Sequence, residues 1–496
     1  MNPLKKLASQ TLVYGLSSIL GRFLNYLLVP LYTYSFSTGE YGVVSEFYAY
    51  SGFFAVLLVF GLETGFFRFS QQQENREDVY STALGVVAIL NVLFVALIVL
   101  FASPLSTALR YPENKEYFYW FAAILAFDSV AAIPFAKLRA QNKALHFAGI
   151  KLTETGITVL LNIFFIVVCR KAYEQNTGSF LASFYNPAIG VGYIFISNVI
   201  ASAVKIALLL PMLLNVKSVL NRELLGKMLR YSAPMVIIGF AGIINEMLDR
   251  MILKYLLPFD NETNMQQLGI YGACYKLAVL MTLFIQAFRY AAEPFFFAQA
   301  KNDSSRKVYA DVMKYFVVVC VLVFLFVMLY LPWWQLFIGS EFRVGLKVVP
   351  VLLLANLFLG MYVNLSVWYK LTDNTMLGAR VSVAGALLTI ALNVALIPTM
   401  GYMGSAWATL ACYAAMAAVS YVLGQKYFPV PYEVNRIMGY MLLGVALWLL
   451  HEMLNKMVFA VIPFWMSGTL MLFAYTAIVF TLEKKNFFSR TVSEKE

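Results

Sequence analysis

Apolar residues in this chain gather into runs of about 20 separated by short polar breaks, and a run of that length crosses a lipid bilayer as a helix. Fourteen runs are expected, at about 11–35, 41–68, 79–101, 117–136, 147–169, 190–214, 232–256, 269–297, 308–331, 348–369, 378–398, 402–424, 437–454 and 457–482. Numbered spans 1 to 14, they predict an all-α polytopic membrane protein with about 14 transmembrane helices. Lys5 and Lys6 precede the first run as in a signal peptide. That run is long, contains Arg22 and leads into further spans, so it reads as a transmembrane helix.

Composition points the same way. The 496 residues are 61% hydrophobic and 13% charged, whereas a soluble domain needs about 25% charged residues to face water. A soluble globular protein is excluded. The four cysteines, Cys169, Cys274, Cys320 and Cys412, stand singly, and the two histidines, His146 and His451, form no HExxH. No metal site and no catalytic residue is expected from them. The connections between spans are too short for an extramembrane catalytic domain and hold no nucleotide-binding GxxxxGK[ST], so an enzyme is not expected.

The net charge of +11 is explained by topology. With both termini cytoplasmic, 22 Lys and Arg fall in the termini, the loops on their side and the adjoining span ends (Lys314 and Arg380), against 7 on the opposite side. That asymmetry follows the positive-inside rule, and nucleic acid is not needed as a partner.

Sliding the chain by 230 positions brings Gly39, Tyr41, Gly42, Phe54, Glu63, Phe66 and Phe67 onto Gly269, Tyr271, Gly272, Phe284, Glu293, Phe296 and Phe297. Spans 1–6 and 7–12 are therefore expected to form two equivalent six-helix lobes. Six crossings return the chain to its starting side, which makes them a parallel repeat. The expected division is 1–214 for the N-terminal lobe, 215–231 for a cytoplasmic linker, 232–425 for the C-terminal lobe, and 426–496 for spans 13 and 14 with a tail. Gly61-xxx-Gly65 is expected to serve close helix packing.

Ionisable residues inside the spans are Arg22, Arg68, Lys151, Lys205, Arg250, Lys254, Lys276 and Arg289, with Glu46, Glu63, Asp128, Glu154, Glu246, Asp249 and Glu293. A charge at the bilayer centre costs at least about 2.5 kcal/mol on insertion scales, so these residues are expected to line a shared aqueous cavity or to pair. Thr11, Tyr14, Ser18, Arg22, Asn25 and Tyr32 mark one polar face of span 1. Glu246 with Arg250, and Arg289 with Glu293, have the spacing of intrahelical ion pairs. Lys205 and Lys254 lie near enough to helix ends to snorkel to the interface.

The segments Leu28-Val-Pro30-Leu-Tyr32-Thr33, Gly39-Glu40-Tyr41-Gly42, Gly61-Leu-Glu63-Thr-Gly65-Phe66-Phe67-Arg68-Phe69 and Pro398-Thr-Met-Gly401-Tyr-Met-Gly404-Ser-Ala406 resemble the polysaccharide transporter family, the O-antigen and capsule flippases. That family shares a superfamily with lipid II flippases and multidrug and toxin extrusion antiporters. The resemblance runs over essentially the whole chain. It implies movement of an undecaprenyl-diphosphate-linked oligosaccharide from the cytoplasmic to the periplasmic leaflet of the bacterial inner membrane, by alternating access. Membrane lipids are the other implied partners, with a glycan polymerase or glycosyltransferases.

A diphosphate needs cationic partners, and arginine offers it bidentate donors. Arg22, Arg68, Lys151, Arg250, Lys276 and Arg289 are the expected diphosphate ligands, with Asn25 and Tyr14 meeting sugar hydroxyls. In related flippases arginines of spans 1, 2 and 8 line the cavity, which corresponds by span to Arg22, Arg68 and Arg289. No cofactor is expected beyond a coupling proton or sodium ion, for which Glu46, Asp128, Glu154 and Asp249 are the candidate carboxylates. The rival readings are a lipid II flippase, an ion-coupled multidrug extruder of the same fold and, from a different class, a membrane glycan polymerase or ligase.

Overall fold

The computed structural model describes residues 19–72, 76–175, 179–216, 221–299, 305–457 and 463–493. Among them there is no strand. Twelve helices are long and apolar enough to cross a membrane, and they coincide with predicted spans 2–6 and 8–14. Predicted span 7 is the helix Arg222–Leu256. Predicted span 1 is helical over its described part and includes Leu28–Ser35.

The chain divides into two compact units, Met1–Ala273 with Ser382–Tyr402, and Cys274–Val381 with Met403–Glu496. The linker expected at 215–231 falls inside the first unit, because span 7 packs along span 2.

Apolar side chains gain nothing by leaving lipid for one another, so helices in a membrane associate through close backbone approach and polar contacts. The first unit shows both. Span 2 opens with a capping box, in which Ser37 Oγ accepts from the Glu40 amide at 3.3 Å and Glu40 Oε2 accepts from the Ser37 amide at 2.9 Å. It runs over Thr38–Val59, stops at Phe60 and Gly61, and restarts as Leu62–Gln72. Both residues of the break are left-handed, with φ of 51° and 65°, a conformation that glycine adopts freely and phenylalanine rarely.

Gly61 and Gly65 lie against Ser232 of span 7, as the sequence spacing predicts, and Ser232 Oγ donates to the Gly61 carbonyl at 3.3 Å. Further along the same pair, Gly239 abuts Val56 and Gly52 abuts Met247 and Ile243. Gly42, Gly269 and Gly272, which the 230-residue repeat singles out, crowd the starts of spans 2 and 8 together. A Cβ at Gly42 would overlap the Met265 carbonyl, and one at Gly269 the Thr38 carbonyl.

Leu62, Phe66, Tyr80, Val87, Ile133 and Met228 form a core that joins spans 2, 3, 4 and 7. Phe47 is ringed by Tyr111, Phe118, Phe121 and Phe195, with centroids 5.2–5.6 Å away.

In the second unit Trp368, Tyr369, Cys412, Tyr413 and Met416 build the core between spans 10 and 12. Trp368 Nε1 donates to the Ser420 carbonyl at 3.3 Å. Spans 13 and 14 are fastened to span 9 by charge as well as packing. Lys314 is buried with its Nζ 2.9 Å from Glu483 and 3.2 Å from Glu433, while Tyr440 Oη donates to Glu483 at 2.6 Å.

Candidate functional site

Among the intramembrane cations of the first unit, Lys205 and Lys254 are buried and closed off by carboxylates, Lys151 and Arg250 each lie beside a carboxylate, and Arg22 and Arg68 are exposed with no ion pair among the described residues. Lys205, near the middle of span 6, has 2% of its side chain exposed. Its Nζ lies 2.5 Å from Asp128 Oδ1 of span 4 and 2.5 Å from Glu154 Oε1 of span 5. Ser202 Oγ donates to the same Asp128 oxygen at 2.7 Å, and Lys151 Nζ meets the other Glu154 oxygen at 3.1 Å. Two positive and two negative charges therefore form one neutral cluster across spans 4, 5 and 6. Its outer members reach the surface of the unit, Asp128 with 47% and Lys151 with 39% of the side chain exposed.

A second closed pair lies at the start of span 2. Lys254 Nζ is 2.7 Å from Glu46 Oε2, and the Glu46 carboxylate accepts from Tyr111 Oη at 2.5 Å and Tyr50 Oη at 2.6 Å. Lys254 also donates to the Leu109 carbonyl at 2.8 Å. Burial of Lys205 and Lys254 corrects the expectation that they snorkel: each finds, on other helices, the anion that a snorkelling side chain would seek at the interface. Their carboxylate partners, Asp128 and Glu154 for Lys205 and Glu46 for Lys254, lie on other helices, and the position of a lysine along its own span gives no sign of them.

Asp249 is buried, accepting from Tyr271 Oη at 2.6 Å and from the Arg250 amide at 2.8 Å. Arg250 Nε stands 3.9 Å from it. Asp249 is the one coupling candidate with no lysine beside it among the described residues. One helical turn away Asn245 accepts from Thr389 Oγ1 at 3.0 Å and donates to the Ser382 carbonyl at 3.2 Å, both of span 11. The expected intrahelical pair of Glu246 and Arg250 is replaced by a bond from Arg250 Nη2 to the Glu246 backbone carbonyl at 3.3 Å. The Glu293 side chain, expected to pair with Arg289, lies outside the described residues.

Arg22, Asn25, Arg68 and Arg289 are exposed. Arg22 and Arg289 make no ion pair or hydrogen bond among the described residues. The Arg68 guanidinium stacks on Tyr231 of span 7, 4.4 Å from the ring centroid. Span 1 meets span 5 at Gly21, next to Thr155, which brings Arg22 to the same helix pair as Lys151 and Glu154. Tyr32, on the predicted polar face, is buried and donates to Asn162 of span 5 at 3.0 Å. Tyr14 lies outside the described residues. Lys276 and Arg289 belong to the second unit, and the other four cations to the first.

No hydrophobic environment offsets a guanidinium on an exposed transmembrane surface.

A family model described as polysaccharide biosynthesis protein matches residues 7–298. The chain belongs to this family. No curated protein matches this member of the polysaccharide biosynthesis family, but its fold recurs in solved transporter structures. The lipid II flippase MurJ in an inward closed conformation is 14% identical with a TM-score of 0.70, covering 96% of this chain and 99% of that one. The MATE multidrug transporter DinF-BH is 14% identical with a TM-score of 0.60, covering 84% and 95%. A MATE structure in the straight conformation gives 13% identity and a TM-score of 0.60 over 86% and 96%. The chain is thus a multi-pass membrane protein of the polysaccharide biosynthesis family with the fold of MurJ and the MATE transporters.

Proposed function

We propose that this protein is a flippase that carries an undecaprenyl-diphosphate-linked oligosaccharide from the cytoplasmic to the periplasmic leaflet of a bacterial inner membrane, by alternating access. The observation that carries the reading is the sorting of intramembrane charge. Lys205 and Lys254 are neutralised by carboxylates within the fold, whereas Arg22 and Arg289 are exposed with no carboxylate partner among the described residues. An anionic headgroup is a partner suited to such exposed arginines, since a planar guanidinium holds phosphate oxygens in pairs. Arg68 extends the exposed cationic surface of the first unit, Lys151 is proposed to reach the headgroup from the exposed edge of its neutral cluster, Arg250 lies within span 7, and Lys276, like Arg289, is part of the second unit. Asn25, exposed one turn from Arg22, is placed to meet a sugar hydroxyl.

The polyprenyl tail stays in lipid, so only the headgroup needs a polar path. Asp249 is the carboxylate proposed to bind a coupling proton or sodium ion, since the other three candidates have ammonium groups at 2.5–2.7 Å whereas its own cationic neighbour, Arg250, stands off at 3.9 Å. Both termini are proposed to be cytoplasmic, from the distribution of basic residues.

Likeness to MurJ over 96% of the chain favours a second reading, in which the glycan is that of lipid II. One experiment addresses both. Wild-type protein and Arg22→Ala are placed in liposomes with labelled undecaprenyl-diphosphate oligosaccharide or, in parallel, lipid II, and the glycan's accessibility to an impermeant reagent is followed. Movement of the oligosaccharide by wild type alone, at equal membrane insertion, is expected. Wild-type rates from Arg22→Ala would remove the arginine assignment, and movement of lipid II alone would favour the second reading.

A further inference from the structure

Asp128, Glu154 and Ser202 place oxygen atoms from three consecutive spans around one point near the middle of the first unit's helices. Two carboxylates and a hydroxyl are the donor set of a hard cation. The point is occupied by Lys205 Nζ, at 2.5 Å from each carboxylate and 3.4 Å from the hydroxyl. Lys205 contributes one charge and Lys151 another, which balances the two carboxylates. We infer that Lys205 is a built-in cation: its ammonium fills, on a covalent tether, a monovalent-cation site between spans 4, 5 and 6, so that Asp128 and Glu154 take up no mobile ion.

The charge balance fixes the class of ion. Without Lys205 the cluster retains one positive charge against two negative ones, and a single monovalent cation restores neutrality. A divalent ion would overshoot. The geometry also explains why a lysine is tolerated at this depth, since an ammonium with two carboxylates and a hydroxyl escapes the penalty of an isolated buried charge. Any ion dependence of transport must then arise elsewhere in the protein, away from this cluster.

The test needs no transport substrate, so it stands apart from the flippase reading. Full-length wild type, Lys205→Ala, and Lys205→Ala combined with Asp128→Asn are purified in detergent. Melting temperature is followed while sodium chloride replaces N-methylglucamine chloride at constant ionic strength, and again with methylammonium chloride. A ligand that binds only the folded state raises its stability with concentration. The wild type is expected to be indifferent, Lys205→Ala to gain a saturable rise of several degrees with sodium or methylammonium, and the double variant to lose it. A folded Lys205→Ala that responds to neither cation overturns the inference. Should Lys205→Ala not survive purification, wild type and Asp128→Asn decide. Sodium stabilisation of the wild type that Asp128→Asn abolishes overturns the inference, and its absence, or its persistence in the variant, upholds it.

Discussion

Lys254 Nζ lies 2.7 Å from Glu46 Oε2, although the two residues are 208 positions apart and neither side chain is exposed. The pair joins span 2 to span 7, and through the Leu109 carbonyl it also holds the connection between spans 3 and 4. Tyr50 and Tyr111 complete the carboxylate's shell. Removing one member leaves the other charged in a site closed to solvent. Glu46→Ala or Lys254→Ala should therefore cost about 3–5 kcal/mol, read as a large fall in melting temperature. Replacing both, as Glu46→Gln with Lys254→Met, should recover most of that loss; a double variant no better than the singles would show that the pair is not a unit.

Gly269 meets the Thr38 carbonyl so closely that even a methyl group requires the helices to part. Gly269→Ala should destabilise the protein by about 1–3 kcal/mol, the range for overpacking. Gly156 has no neighbour within 4 Å of a Cβ position, so Gly156→Ala serves as the control. Equal melting temperatures for the two variants would contradict the close crossing of spans 2 and 8.

Lys151 and Lys205 share Glu154 but differ in exposure, at 39% against 2% of the side chain. An exposed ion pair contributes about 0–1 kcal/mol. Lys151→Ala should consequently leave the melting temperature nearly unchanged while weakening transport in the liposome assay, with a raised substrate concentration for half-maximal rate. A loss of stability comparable to that of Lys254→Ala would move Lys151 from substrate binding to structure.

Asp249→Asn keeps an oxygen to accept from Tyr271 and removes the charge. The variant should fold and should lose any acceleration of flipping by a sodium or proton gradient. Persistence of that acceleration, tested with ionophores that collapse each gradient in turn, would exclude Asp249 as the coupling group.

The spans are readable from sequence because a bilayer demands unbroken apolar runs of known length. Even span 7, with Glu246, Asp249, Arg250 and Lys254 along it, falls where the crossing count requires a helix. The pairing of Lys205 with Asp128 and Glu154 is not readable, since it joins positions 77 and 51 residues apart. Position along a helix tells how far a lysine lies from the interface but nothing of the anion across from it. Lys314 makes the same point in the second unit: it follows a basic loop, yet Glu483 and Glu433 of distant segments draw it inside. By contrast, the Gly61-xxx-Gly65 spacing is a correct guide to close contact, because in membrane helices the smallest residues gather where two backbones must approach each other.

The break at Phe60 and Gly61 divides span 2 into two rods, Thr38–Val59 and Leu62–Gln72. Each rod carries its own macrodipole, equivalent to roughly half an elementary charge of opposite sign at its two ends. The negative end of one and the positive end of the other thus meet within the span, beside Ser232, in addition to the outer ends at Thr38 and Gln72. This polarity comes from peptide groups alone. It has no proton to gain or lose, so the local dipole contact between span 2 and span 7 at Ser232 is one that changes in pH leave untouched.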